Sequence, residues 1–410
     1  MSSSAPAGVD KMMAPTDRAS TSMIATDPRG SVADDLNNRP LRVAIVGCGK
    51  IADSHVHQIQ RIKNCEIVAV CDREPLMAQQ CYERYPVKAF YSDALTMLRE
   101  ARPDIVHITT PPESHFALAK MALEEGSHVY VEKPFTLYER DARALIDLAE
   151  SLGLKVTAGH DDQFTHVARE MRRLVHEGFL GTRVVHMESY YCYELRGAYA
   201  NALLGDKNHW VRRLPGKLLQ NVISHGVARI AEFLTSESPK VMVQASISPE
   251  LQRRGEAEIV DELRVIISEE SGTTAYFTFS SQLRPSLHSF HIYGDKGGVL
   301  LDHDQSTLVK LRGARFKSYA EKFLPPLILA KQYSRNFLRN VTLFLKRDFH
   351  MKSGMKYLIE SFYRSIELGT SPPIPYREIL LVARIMDAIF EQTGTRPGEE
   401  RLNVFANSRS

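Results

Sequence analysis

The chain reads as an α/β protein in two parts. A doubly wound parallel sheet is expected over residues 41–159, followed by an α+β domain with an open, largely antiparallel sheet over 160–393. Three observations predict this. Up to residue 159, short β-rich runs alternate with amphipathic stretches, the rhythm of parallel strands joined by right-handed crossovers. Those runs are nearly all apolar, as in Ile67-Val68-Ala69-Val70-Cys71, which suits strands covered by helices on both faces. Beyond residue 160, strand-like runs follow one another through short turns such as Glu269-Glu270-Ser271-Gly272, which favours antiparallel neighbours.

In order, the first domain should contain strands at 42–46, 66–71, 87–90, 104–108, 128–132 and 155–158. Helices lie between them near 50–62, 75–84, 92–100, 114–125 and 138–151. The second domain opens with a helix at 164–177, ended by Glu177-Gly178-Phe179-Leu180-Gly181. Its strands are expected at 182–191, 240–248, 259–269, 273–282, 287–293 and 298–302, with a helix at 217–234 among them. Helices at 353–368 and 376–392 close the chain. Residues 1–40, rich in Ser, Ala, Pro, Asp and Thr, cannot bury enough apolar surface to offset ordering entropy and read as a flexible tail. Residues 394–410 read as a second tail.

Composition narrows the function classes. At 43% hydrophobic and 25% charged, the 410 residues are those of an ordinary globular protein with ample core. A net charge of +3 argues against a dedicated nucleic-acid surface. No apolar run approaches the roughly 18 residues of a membrane span, so no integral membrane segment is expected. Five cysteines without C-x-x-C pairing suggest reduced thiols in the cytoplasm and no metal centre. Residues 331–347 set Lys331, Arg335, Arg339, Lys346 and Arg347 among Phe337, Leu338, Val341, Phe344 and Leu345. Such a stretch can rest on a membrane, but packing on its own domain or on a subunit is the expectation.

Two motifs carry chemistry. Val43-Ala44-Ile45-Val46-Gly47-Cys48-Gly49-Lys50-Ile51-Ala52 is a strand feeding a Gly-x-Gly-x-x-Ala turn. Gly47 permits the tight turn, Gly49 lets backbone approach a pyrophosphate, and Ala52 allows close helix–strand packing. The helix beginning at Lys50 and Ile51 offers free N–H groups to that anion. Asp72, at the end of the second strand, can accept from adenosine ribose hydroxyls and favours NAD, while Arg73 leaves NADP possible. Thr109-Thr110-Pro111-Pro112-Glu113-Ser114-His115 follows the fourth strand and should sit beside the nicotinamide half of the crevice. The second motif is His128-Val129-Tyr130-Val131-Glu132-Lys133-Pro134, an apolar strand ending in a lysine. Ligands of open parallel sheets bind at the carboxyl ends of strands. There, Lys133 could exchange the hydroxyl proton that accompanies hydride transfer, with Glu132 tuning it.

Taken in this order, these motifs resemble the glucose–fructose oxidoreductase and inositol 2-dehydrogenase (Gfo/Idh/MocA) family, over about 41 to 393. Supporting matches include the Glu177–Gly181 turn and Tyr293-Gly294-Asp295-Lys296-Gly297-Gly298. The resemblance implies an NAD(P)-binding Rossmann domain in which Gly47, Gly49, Lys50, Ile51, Ala52, Asp72, Arg73, Thr109, Thr110, Pro111, His115 and Glu132 serve the cofactor. It implies Lys133 as acid/base, often before a cis proline bond, and an Asp-x-x-x-His pair on a helix of the second domain. That pair maps onto Asn221 and His225, so an amide stands where the family has an acid, and Ala228 replaces a further Asp. Asn221 can orient substrate but cannot carry a proton. The second domain commonly forms the oligomer interface, which suggests a homodimer or homotetramer.

The aromatic and basic segment before this helix offers Trp210, Arg212 and Arg213 as substrate contacts, hinting at a sugar nucleotide. His160, Asp161 and Asp162 follow the sixth strand, and helix capping is the favoured role for the two aspartates. The function expected is hydride transfer between NAD, or NADP, and a carbinol or keto carbon of a sugar, cyclitol or sugar nucleotide. A glycosidase-type redox cycle and a non-catalytic sugar or cofactor sensor are the alternatives.

Overall fold

The computed structural model describes residues 39–313, 316–349 and 352–394; the rest of both expected tails lies outside them. Six parallel strands alternate with helices in the first domain: β1 (Leu41–Val46), α1 (Lys50–Ile59), β2 (Cys65–Cys71), α2 (Pro75–Arg84), β3 (Ala89–Tyr91), α3 (Ala94–Ala101), β4 (Ile105–Ile108), α4 (His115–Glu124), β5 (His128–Val131), α5 (Glu139–Ser151) and β6 (Val156–Ala158). The strand order is β3-β2-β1-β4-β5-β6. Strand order reverses between β1 and β4, which opens a crevice at their carboxyl ends. β4 and β5 are buried along their whole length, as apolar runs between two helical layers must be. On α1, the buried positions Ala52, His55, Val56 and Ile59 recur at helical spacing and face the sheet.

A 3₁₀ turn (Asp161–Phe164) and α6 (His166–His176) lead into the second domain. Its seven strands are β7 (Val184–Tyr191), β8 (Lys240–Ser246), β9 (Glu262–Ser268), β10 (Thr274–Ser280), β11 (His288–Gly294), β12 (Gly298–Asp302) and β13 (Thr307–Leu311), in the order β13-β12-β11-β7-β10-β9-β8. Only β7 and β10 pair in parallel. The helices inserted are α7 (Gly197–Gly205), α8 (Trp210–Arg213), α9 (Lys217–Val222), α10 (Ser224–Ala231) and α11 (Pro249–Arg253). Beyond the sheet come α12 (Ala320–Leu345), α13 (Ser353–Glu367) and α14 (Tyr376–Thr393). β8 and β9 alternate; β9 buries one face and β8 half-buries it, leaving Met242 and Ile266 exposed on the other. Gly226 has no Cβ to strike the Phe277 ring, which would lie 2.3 Å from it, so α10 lies directly on the sheet.

Three features differ from the sequence reading. The helix expected at 217–234 is two helices meeting at Ile223. β13, α12 and the short helices α7, α8 and α11 were not expected as elements. The boundary at 160 is crossed by α13, whose Leu358, Ile359 and Phe362 belong to the first domain's core, and α14 contributes to both cores. Amphipathic helices announce an apolar face but not which sheet it will cover. No helix among the described residues is long and apolar enough to cross a membrane.

Candidate active site

The glycine turn, the ends of β2 and β4 and the start of α4 enclose a cavity of about 860 Å³, bordered by Gly47, Gly49, Asp72, Arg73, Thr109, Thr110 and Pro111. Gly47 has φ +99°, and a Cβ there would lie 2.8 Å from Thr110 N, so only glycine lets the two loops meet. A Cβ on Gly49 would meet nothing within 4 Å; it would project into open space. Gly49 caps α1 without any side-chain hydrogen bond, leaving first-turn N–H groups for an anion. Asp72 accepts from Cys48 N at 2.7 Å and from Glu74 N at 3.0 Å, which holds its carboxylate at the cavity wall. This donor set fits a dinucleotide: backbone amides for the pyrophosphate and a fixed carboxylate for the ribose.

Not every expected cofactor residue borders the cavity. Ala52 is buried under β1 as a packing residue, Lys50 is exposed, and Ile51 is half-buried. His115 is instead a fully buried staple, its two ring nitrogens 2.9 Å from Pro134 O and Thr110 O, to one of which the neutral ring donates. Glu132 is also taken up internally. Its Oε1 meets His55 Nε2 at 2.9 Å and its Oε2 accepts from Lys133 N at 3.1 Å. Burial pushes the Glu132 carboxyl up, but the hydrogen bond to His55 and the His55 and Lys133 charges outweigh it and hold it at about 2. The chain continues from His55 Nδ1 to His107 Nδ1 and from His107 Nε2 to Tyr363 OH, at 2.8 Å each.

Lys133 stands just past the end of β5, before a cis bond to Pro134. Its Nζ donates to the Asn221 carbonyl oxygen at 3.0 Å. Desolvation lowers its pKa, opposed by the charges of Glu132 and Asp161. The Asn221 side chain donates to Tyr199 OH at 3.0 Å. His225 is buried, stacks on Tyr191 and lies with Nδ1 3.8 Å from both Asp161 Oδ1 and Asp162 Oδ2. Burial depresses His225 to about 4, against the pull of Asp162. Asp161 is raised to about 7, first by burial and then by Asp162. Asp162 is held low because the His225 and Arg229 charges overcome its burial; Arg229 Nη2 donates to it at 2.6 Å.

Two carboxylates do stand near His225, from elsewhere in the chain. Asp161 and Asp162 reach His225 from the turn after β6, whereas capping falls to Thr165, which accepts from Ala168 N. Their donor atoms and that of His225 lie within 4.8 Å of one another, close enough to share a cation. Arg229 already pairs with Asp162 in this cluster. Beside it, both ring nitrogens of buried His160, His225 Nδ1 and Ser224 Oγ have no hydrogen-bond partner. Buried polar atoms are rarely left so.

Of the expected substrate contacts, Arg212 is committed elsewhere, to Leu203 O at 2.9 Å and Glu256 at 2.5 Å. Arg213 borders the cofactor cavity, 4.0 Å from Glu113. Trp210 is half-buried and stacks on His209. His55 was legible in hindsight, as a histidine at an apolar position of α1.

The fold and cradle define the class, a Rossmann-type dinucleotide-binding domain joined to an α+β partner. Residues 41–160 match the oxidoreductase family with an NAD-binding Rossmann fold, and residues 168–300 match the GFO/IDH/MocA C-terminal domain. The chain belongs to the Gfo/Idh/MocA oxidoreductase family. It is 35% identical over 147 residues to D-glucoside 3-dehydrogenase of Escherichia coli K12, 36% of this chain and 42% of that protein. The match thus spans less than half of that relative. An NAD-binding oxidoreductase from Klebsiella pneumoniae superposes with TM-score 0.69 at 18% identity, over 87% of this chain and 97% of that one. The WlbA dehydrogenase from Bordetella pertussis, solved with NADH and UDP-GlcNAcA, gives 0.68 at 17% identity over 87% and 97%. At such identities the likeness is one of fold.

Proposed function

We propose that this protein is an NAD-dependent dehydrogenase acting on a carbinol or keto carbon of a sugar, cyclitol or sugar nucleotide. The observation that carries this reading is Lys133, just past the end of β5, its Nζ donating to Asn221 O at 3.0 Å and feeling the charges of Glu132 and Asp161. The names of relatives support the substrate class. Asp72 favours NAD, because its carboxylate would repel a 2′-phosphate, and Arg73 at the same wall keeps NADP within reach.

When bound, the nicotinamide takes or returns the hydride. Lys133 takes the substrate hydroxyl proton during oxidation and returns it in reduction. Its desolvation moves the amine toward the pH at which it can accept that proton. The Asn221 carbonyl fixes where the amine points. His225, neutral at working pH, presents a ring nitrogen to the same hydroxyl, and Asp161 can hold a proton released by either group. Arg213 borders the cavity, where the rest of a sugar nucleotide could extend. We infer a homodimer or homotetramer assembled on the open face of the second sheet, where Met242, Ile266 and Tyr276 are exposed. Five free thiols suit the cytoplasm.

The test is reduced-nicotinamide absorbance across sugars, cyclitols and UDP-sugars, with Lys133→Ala and NAD binding measured in parallel. NADH formed by the wild type and not by a variant that still binds NAD supports the reading. Glycoside hydrolysis without net NADH would replace it with an internal redox cycle.

A further inference from the structure

Helix α12 is amphipathic the wrong way round for a helix that packs on its own domain. Its polar side faces the protein. Gln332 accepts from Lys310 N at 2.8 Å and donates to Lys310 O at 3.0 Å; Asn336 does the same at Leu308, at 3.2 and 2.9 Å. Arg339 and Asn340 donate to the carbonyls of Ser306 and Gln305. These side chains take over the backbone groups of the edge strand β13, as a neighbouring strand would. The opposite side is apolar and bare: Leu327 is 65% exposed, Phe337 65%, Phe344 68% and Leu345 74%. Phe323, Leu338 and Val341 are exposed with them. A contiguous stripe of this kind marks an interaction surface.

Charge decides between occupants. From 316 to 347 there are seven lysines and arginines and one acid, Glu321. Two copies meeting through this face would bring like charges together, whereas an anionic surface would be attracted to it. The 26-residue helix is about 39 Å long, ample to lie in an interface, and no helix among the described residues is long and apolar enough to cross one. Between α12 and its domain runs a groove of about 780 Å³ lined by apolar Phe179, Leu308 and Ile328 and by cationic Arg312, Lys331 and Arg335. Glu170, its acid, is already paired with Arg173. The groove repeats the chemistry of the helix: apolar surface bordered by positive charge, complementary to an anionic amphiphile.

We propose that α12 is an interfacial helix that seats this protein on anionic membrane surfaces. Phe323, Leu327, Leu338, Val341 and Leu345 enter the acyl boundary, and Lys331 and Arg335 reach the headgroups along their own stems. The proposal stands apart from the assigned chemistry and does not depend on it.

The test is flotation of the full-length protein with vesicles of phosphatidylcholine alone or mixed with phosphatidylglycerol, at low and high salt, with oligomeric state followed by sedimentation. The wild type is expected to float with phosphatidylglycerol vesicles, less at high salt, and only weakly with phosphatidylcholine. Leu338→Glu with Leu345→Glu should reduce partition at least tenfold. Lys331→Glu with Arg335→Glu changes only exposed charge and should reduce it about twentyfold. Absence of wild-type flotation with anionic vesicles overturns the proposal. So does flotation unchanged in both variants. If the leucine pair instead dissociates an oligomer while flotation stays at background, the face is a subunit interface and the proposal fails.

Discussion

The nucleotide cradle is made mostly of backbone, whereas the centre around Lys133 is made of side chains reaching in from four separate segments. In the cradle, the glycine turn, the uncapped start of α1 and the loop after β4 are fixed by strand ends, and Asp72 is locked by two amides. In the centre, β5 brings Glu132 and Lys133, the turn after β6 brings His160, Asp161 and Asp162, α9 and α10 bring Asn221 and His225, and α1 brings His55. Backbone donors bind without titrating, so the cradle can hold a cofactor over a wide pH range. Buried titratable groups exchange protons only because their environments have moved them apart, so the centre is chemically capable and pH-sensitive.

The sharpest test of that division is Lys133→Ala. Turnover should fall by about 10² to 10⁴ while the NAD dissociation constant stays within about twofold, because general acid–base help is lost and the cradle is untouched. Steady-state rates and a fluorescence titration of NADH check both halves. A parallel loss of NAD affinity would break the separation.

Acid should expose the centre next. His225 is pushed from 6.5 to about 4 by burial, and His160 to about 3. For a depressed histidine, the unfolded chain takes up protons first, so its stability contribution is present above about 6.5 and is lost as pH falls toward 4. Asp161 and Glu378, both raised to about 7 by burial, act in the opposite sense and gain as pH falls below that value. Denaturant unfolding of wild type against His225→Gln isolates one group. The variant should retain about 2–3 kcal/mol more of its neutral-pH stability at about pH 4.5. Equal slopes would mean that His225 titrates in the fold as it does in the unfolded chain.

Gly47→Ala attacks the other region. The added methyl would lie 2.8 Å from Thr110 N on a backbone with φ +99°. Strain of this kind costs about 1–3 kcal/mol, read as a lower melting temperature together with weaker NAD binding. Weakened NAD binding with unchanged melting would show that the glycine serves only the ligand.

The same contrast explains what the sequence disclosed. The cradle is local: strand, glycine spacing and Asp72 lie within one stretch of chain, so periodicity and turn chemistry reveal it. Lys133 was legible from its place at a strand end, and the Asn221–His225 spacing survived even though the helix carrying it breaks at Ile223. The carboxylates that stand near His225 were not legible as its neighbours, because Asp161 and Asp162 approach it from about sixty residues away in the chain. The contact that aims Lys133 uses a carbonyl oxygen, which no residue identity reports. Arg212 was misjudged because an arginine in an aromatic loop looks the same whether Glu256 or a phosphate awaits it. The α12 stripe was visible as composition, but its outward direction follows from Gln332 and Asn336 binding β13.

The smallest effect lies where the cradle depends on a side chain. Asp72→Asn keeps one oxygen able to accept from Cys48 N or Glu74 N, but turns an NH₂ toward the other amide. NAD affinity should weaken about five- to tenfold, the loss of roughly one net hydrogen bond. The preference for NAD over NADP should narrow as well, because the carboxylate that repels a 2′-phosphate is gone while Arg73 remains at the wall. Competition titration of the two cofactors separates the roles. If both dissociation constants rise together, Asp72 acts through the glycine turn alone, and the cradle is a backbone site throughout. If only NAD weakens, the carboxylate meets the ribose directly, and the cradle resembles the centre at this one residue.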